Sequence, residues 1–266
     1  MTLTPPRPTP YPELNAVLLE LVTGAQAVLG TDFTGAYLQG SFAVGDFDEF
    51  SDVDFLVVVE VRVSEAQWNA LQAMHARIHD LPSDWARHLD GSYFPRQLIR
   101  HPDPAMTPLP YLDNGSQALV RSDHDNTLVV RWMVRERGVT LAGPEPRQLI
   151  EPVPAGQLKD EVRTTMRTWA EELFSSPEKM NNRWYQPFAV LSYCRMLHTL
   201  ETGVVDSKPA GARWAAGALD ASWHGLIQRA WAERPNPPLK YRQPADPAEL
   251  RSTVEFIRHA LKLGVG

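Results

Sequence analysis

Asp52 and Asp54 flank one valine at the head of the apolar run Phe55-Leu56-Val57-Val58-Val59, and Gly40-Ser41 lies ten residues upstream of the pair. Two short apolar runs around a Gly/Asp/Ser-rich stretch predict two strands joined by a polar loop. Side chains at i and i+2 of a strand share a face, so both carboxylates project together from the start of the second strand. Adjacent carboxylates repel unless a cation sits between them. Hard Mg²⁺ takes oxygen ligands from a few carboxylates together with a nucleotide's phosphates. Gly40 allows backbone to approach a triphosphate tail closely, and Ser41 offers it a hydroxyl donor. The chemistry indicated is group transfer from a nucleoside triphosphate. The plain alternative is a surface hairpin with acidic residues.

The elements that must position these groups follow from periodicity. Leu14, Val17, Leu18, Leu21, Val22, Ala25, Val28 and Leu29 recur at helical spacing and predict an amphipathic helix ending near Gly30, after a proline-rich, extended arm over 1–11. Ser64 with Gln67 reads as a capping box opening a helix through about His79, which Pro82 closes. Residues 85–95 predict a third strand. Running antiparallel to the Asp52/Asp54 strand, it would bring Asp90 to the same end of the sheet. There Asp90 either joins the metal site or removes a proton from an acceptor hydroxyl, and nearby carboxylates would raise its pKa. Asp90-Gly91 as a simple turn is the competing reading, and His88 is a bystander. Residues 101–127 predict a long surface connection of the kind that forms lids or binding loops. Leu128–Arg137 reads as a short helix and 138–144 as a last strand.

The first domain is thus expected over 1–150. The remainder, 151–266, reads as helices with apolar stripes such as Leu158, Val162, Met166, Trp169 and Leu173. The fold class expected is α+β: an N-terminal mixed sheet with helices, followed by an all-α helical bundle.

Composition narrows the partners. The 266 residues are 43% hydrophobic and 22% charged, as in a soluble globular protein. No apolar stretch is expected to reach membrane-spanning length, and the start has no signal-peptide core. The one cysteine, Cys194, excludes an intrachain disulfide framework and a multi-cysteine zinc site. A net charge of −6 without a Lys/Arg block argues against a nucleic-acid partner and suits a cationic small molecule better. A cytoplasmic monomer without a membrane or nucleic-acid partner is the expectation.

Gly40-Ser41 followed by Asp52-Val53-Asp54 resembles the signature of the nucleotidyltransferase superfamily, the polymerase-β-like fold. The stretch from Leu191 to Trp214, with Arg195, Thr202-Gly203 and Ser207-Lys208-Pro209, is similar to the C-terminal helical domain of the aminoglycoside nucleotidyltransferases that adenylylate streptomycin and spectinomycin. Arg131-Trp132 and residues 138–144 match that family's middle region, so the resemblance spans roughly 12–235. It implies an enzyme whose domains clamp ATP and an aminoglycoside, with antibiotic resistance as the family's role. Asp52 and Asp54 would hold Mg²⁺ and Asp90 would serve as base. Gly40, Ser41, Arg195 and Lys208 would bind the nucleotide, and Trp132 would line the drug pocket.

Each assignment has a plainer rival: a surface salt bridge for Arg195, a solvated turn for Lys208, a core position for Trp132. The chain also departs from the family. Residues 182–188 lack the acidic residues and histidine of the family's streptomycin-binding segment, carrying Arg183 instead, and Asp90 stands for the usual Glu. Acidic Asp46, Asp48 or Glu49 could attract an acceptor's ammonium groups or be plain loop residues. The other functions in view are a nucleotidyltransferase for a protein or another metabolite, and a non-catalytic nucleotide-binding module.

Overall fold

A computed structural model describes residues 8–234 and 241–266, so most of the expected N-terminal arm lies outside the described residues. The chain divides into two compact units, 1–153 and 154–266. The first contains helix α1 (Pro12–Leu29), strand β1 (Phe33–Leu38), the helical turn α2 (Gly40–Val44), β2 (Val53–Val59), α3 (Glu65–His79), β3 (Leu89–Pro95), α4 (Arg96–Arg100), β4 (Leu109–Leu112), β5 (Leu119–Ser122), α5 (Leu128–Arg137) and β6 (Val139–Ala142).

The strands form one mixed sheet in the order β5-β4-β3-β2-β1-β6. Both of its faces are covered, which is why β2 reads as an unbroken apolar run rather than an alternating one. Val53, Phe55, Val57 and Val59 pack on the side of α1 and α3. Leu56 and Val58 pack on the opposite side with Tyr37, Phe94, Ile99 and Val134. Full burial of each such side chain contributes on the order of 1.5–3 kcal/mol.

Several expectations are corrected here. β3 pairs with β2 in parallel, not antiparallel. The chain between them carries α3, and a helical crossover returns the next strand in the same direction. The strand begins only at Leu89, after a 3₁₀ turn over Asp84–Arg87. Gly40-Ser41 is not loop but the start of α2. The connection over 101–127 holds a β-hairpin, β4 and β5, with Asn114-Gly115 at its tip and Gly115 at φ +79°. Residues 12–32 are long and apolar enough to cross a membrane, contrary to expectation. In the fold Leu14, Leu18, Leu21 and Ala25 of this stretch are buried in the core beneath the sheet. The capping box of α3 forms as expected, Ser64 Oγ accepting from Gln67 N and Gln67 Oε1 from Ser64 N.

The second unit contains α6 (Ala155–Ser175), α7 (Tyr185–Thr202), α8 (Lys208–Ala218), α9 (His224–Glu233) and α10 (Pro247–Gly264). Helix α7 buries residues on every side, among them Val190, Leu191, Tyr193, Cys194 and Leu197, and the other helices pack around it. A helix apolar all round belongs at the centre of a bundle. Gly203, at φ +73°, ends α7, and the Ser207 hydroxyl caps α8 by accepting from Ala210 N.

Candidate active site

The carboxylates gather at one end of β2 and β3. Asp54 stands directly opposite Asp90 across the parallel pair. Both belong to the face that carries Leu56, Val58 and Phe94 further along the same strands. Asp52 precedes β2 by one residue and has the same parity. The turn α2 abuts them. Gln39 N donates to Asp54 O at 2.9 Å. Gly40 sits at φ +59°, where a Cβ would come within 2.0 Å of Asp54 Oδ2. Gly40 is therefore required twice, for its backbone conformation and for the space its missing side chain leaves to a carboxylate. Gly40→Ala is expected to displace Asp54 and lower kcat/KM about 100-fold, since shifts near 1 Å at a reacting centre cost that much. A near-normal kcat/KM would show that the turn relaxes freely.

Asp90 sits in a strongly perturbed environment. Burial pushes its carboxyl up to about 8, and the charges of Asp54, Asp125 and Asp52 add to that rise, against a hydrogen bond from Tyr111. The Tyr111 hydroxyl lies 3.3 Å from Asp90 Oδ2 and 3.2 Å from Asp113 Oδ1. Asn114 at the hairpin tip reaches two carboxylates. Its backbone N–H donates to Asp90 Oδ2 at 3.3 Å, and its side-chain amide donates to Asp52 Oδ1 at 2.5 Å. Behind Asp90, Asp125 is buried and accepts a hydrogen bond from Ser92 Oγ at 2.7 Å. Burial raises the Asp125 carboxyl, with Ser92 and His124 opposing.

Tyr111, Asn114 and Asp125 were missed by sequence reasoning, because all three depend on the unexpected hairpin and the segment that follows it. The turn dipeptide Asn114-Gly115 was the available signal. Asp48 accepts from Phe50 N and Ser51 Oγ within its own turn.

A divalent cation fits this donor set. The ligands are hard carboxylate oxygens, and the charges of Asp54 and Asp52 add to the burial that raises Asp90. Among the described residues no group of three or more His, Cys, Asp or Glu side chains is assembled to hold a metal. Asp52 and Asp54 would thus share an ion with oxygens from the nucleotide.

Trp132 is half-buried on α5, which packs on α2. Its neighbour Arg131 is the buried residue of the pair. Only 1% exposed, Arg131 donates to the carbonyls of His101, Leu98 and Thr127 and to Asn126 Oδ1, at 2.7–3.1 Å.

In the second unit, Arg195 and Lys208 are half-buried on α7 and α8. The two helices touch backbone to backbone, a Cβ on Gly211 coming within 2.6 Å of Arg195 Cα. Lys208 Nζ lies 5.0 Å from the centre of the Phe188 ring. Phe188 stacks at 5.0 Å on Trp184 and meets Trp169 at 5.7 Å. Arg183, anomalous in the sequence, forms an ion pair with Glu233 and a hydrogen bond to Gln243 Oε1, so its charge is compensated within the unit.

Comparison with known proteins agrees with this architecture. A nucleotidyltransferase domain matches residues 31–98, and the C-terminal domain of aminoglycoside adenylyltransferases matches residues 148–260. An aminoglycoside (3'') (9) adenylyltransferase of Rhizobium radiobacter is 23% identical over 232 residues, 82% of this chain and 82% of that protein. A spectinomycin 9-adenylyltransferase of Campylobacter jejuni is 21% identical over 227 residues, 79% of this chain and 81% of the relative. The crystal structure of a spectinomycin adenyltransferase from Enterococcus faecialis with ATP and spectinomycin superposes with a TM-score of 0.67. It shares 15% identity and covers 93% of this chain and 98% of that one.

With the sheet, the helical bundle and both domain matches falling where the sequence signatures lie, this chain joins a nucleotidyltransferase domain to a C-terminal domain of the aminoglycoside adenylyltransferase type, and is an adenylyltransferase.

Proposed function

We propose that the chain transfers AMP from Mg–ATP to a hydroxyl of an aminoglycoside-like small molecule of the streptomycin/spectinomycin type, releasing pyrophosphate. The observation that carries the reading is the placement of Asp54 opposite Asp90, with Asp52 beside them and the Gly40 turn against Asp54. Relatives across most of the chain's length bear the names of aminoglycoside and spectinomycin adenylyltransferases, which supports the acceptor class.

The roles follow from the residues' chemistry. Asp90, with its proton affinity raised toward neutral pH, accepts the proton of the acceptor hydroxyl. The freed oxygen attacks the α-phosphorus in line, forming one P–O bond as the bond to pyrophosphate breaks. Asp52 and Asp54 would hold the Mg²⁺, which when bound would offset charge on the phosphate oxygens. Ser41 donates its hydroxyl to the terminal phosphates. Arg195, as a two-pronged guanidinium, and Lys208, as a point charge, take up negative charge on the triphosphate. Trp132 offers flat apolar surface to a cyclitol or sugar ring. Consumption of ATP implies work in the cytoplasm, and no step needs a second copy of the chain.

The test is pyrophosphate release from Mg–ATP across a panel of aminoglycosides and spectinomycin, with Asp52→Asn as the blank. Release with streptomycin or spectinomycin that vanishes in the blank is the expected result. Silence across the panel while Mg–ATP still binds would overturn the acceptor assignment and favour a protein or another metabolite.

A further inference from the structure

The hairpin tip occupies the oxygens the proposed reaction needs. Asn114 is an exposed residue of the β4–β5 turn, yet its two donors are directed at two different functional carboxylates. The backbone N–H on Asp90 Oδ2 belongs to the turn itself, and any residue except proline would supply it. The side-chain amide on Asp52 Oδ1 is particular to asparagine. A carboxylate oxygen that accepts this amide must surrender the contact, or share it, when a cation ligates the same atom.

We propose that Asn114 bridges Asp52 and Asp90 in the nucleotide-free enzyme, its amide standing at Asp52 where the cation would bind, and releases Asp52 when the nucleotide's metal ion arrives. An amide N–H carries the positive end of a dipole, so it relieves part of the repulsion among Asp52, Asp54 and Asp90 while no cation is present. Once the ion takes Asp52, the backbone bond still fixes the turn against Asp90. The freed carboxamide, able to donate and to accept, then lies beside the carboxylate on which the acceptor hydroxyl must converge. Asp52 adjoins β2 and Asp54 lies within it, so neither depends on Asn114 for its placement. Loss of the side-chain contact therefore removes a competitor of the metal rather than a support for it.

The inference rests on assigning Asp52 to the nucleotide's metal ion, and the experiment separates the two. Binding of Mg²⁺ with α,β-methylene-ATP is measured by calorimetry, without acceptor, for wild type, Asn114→Ala and Asp52→Asn. Asn114→Ala keeps the backbone donor and is expected to bind about fivefold more tightly, the size of effect one modest net hydrogen bond allows. A purely structural role would leave affinity unchanged or weaken it, and either result would overturn the proposal. If Asp52→Asn binds as tightly as wild type, the metal assignment itself fails. If it binds poorly while Asn114→Ala equals wild type, only the role of Asn114 fails. Should Asn114→Ala not fold, Asn114→Asp carries the test. It sets a carboxylate against Asp52, so its Tm should fall without metal and recover on adding Mg²⁺ alone by more than wild type gains. A Tm and a Mg²⁺ response equal to wild type would sink the idea.

Discussion

Asp90→Asn is expected to lower kcat by about 10²- to 10⁴-fold, the range that loss of a positioned general base costs. The same variant should also change how stability depends on pH. In the folded protein the Asp90 carboxyl is pushed up to about 8 from an ordinary 3.8, first by burial and then by the charges of Asp54, Asp125 and Asp52. A raised carboxyl favours the protonated form in the native state, so its contribution to stability is complete below pH 3.8 and is lost as pH rises to about 8. The wild-type Tm should accordingly decline across that window. The variant's amide has no charge to develop there, so the decline should flatten. In the wild type, kcat/KM should climb over the same range as the free enzyme's base ionises. A variant that keeps wild-type turnover, or an unaltered slope of Tm against pH, would remove Asp90 from the role.

The second large effect concerns stability alone. Arg131→Met is expected to cost about 3–5 kcal/mol, the loss associated with removing one partner from a buried polar network. For a chain of this size that lowers Tm by roughly 10 °C. The guanidinium draws together the carbonyls of Leu98 and His101, the first turn of α5 and the side chain of Asn126. Methionine approximates its volume but leaves these acceptors dry. Asn126 adjoins Asp125, so the same clamp fixes the segment that lies behind Asp90. A thermal melt within about 2–3 °C of wild type would mean that water or a neighbour replaces the lost donors.

Much of the site could be read from local pattern, and what could not has a common cause. Asp52 and Asp54 were legible because strand periodicity of two and an apolar run identify their shared face without knowledge of the rest of the sheet. The capping box of α3 was legible for the same reason, its two partners being three residues apart. The hairpin was not. Its strands are four residues each, and β4 contains Pro110, which weakens any strand reading. Everything it delivers to the site, Tyr111 and Asn114 above all, was hidden with it. Arg131 was hidden differently, since a charge in a short helix normally faces water, and only the carbonyls converging from 98–101 make burial tolerable. The antiparallel expectation for β3 considered which end Asp90 must reach and overlooked that α3, already identified, makes the return a crossover. Parallel pairing still sets Asp90 opposite Asp54.

The contact of Gly211 with the backbone of Arg195 has a consequence for how the cations can respond to a ligand. Close helix crossings without an intervening side chain leave little slack, and Lys208 lies one turn before that crossing on the same helix. The main-chain anchors of the two positive charges are therefore linked as a single lever, whose freedom is restrained once when a polyanion is captured rather than separately for each charge.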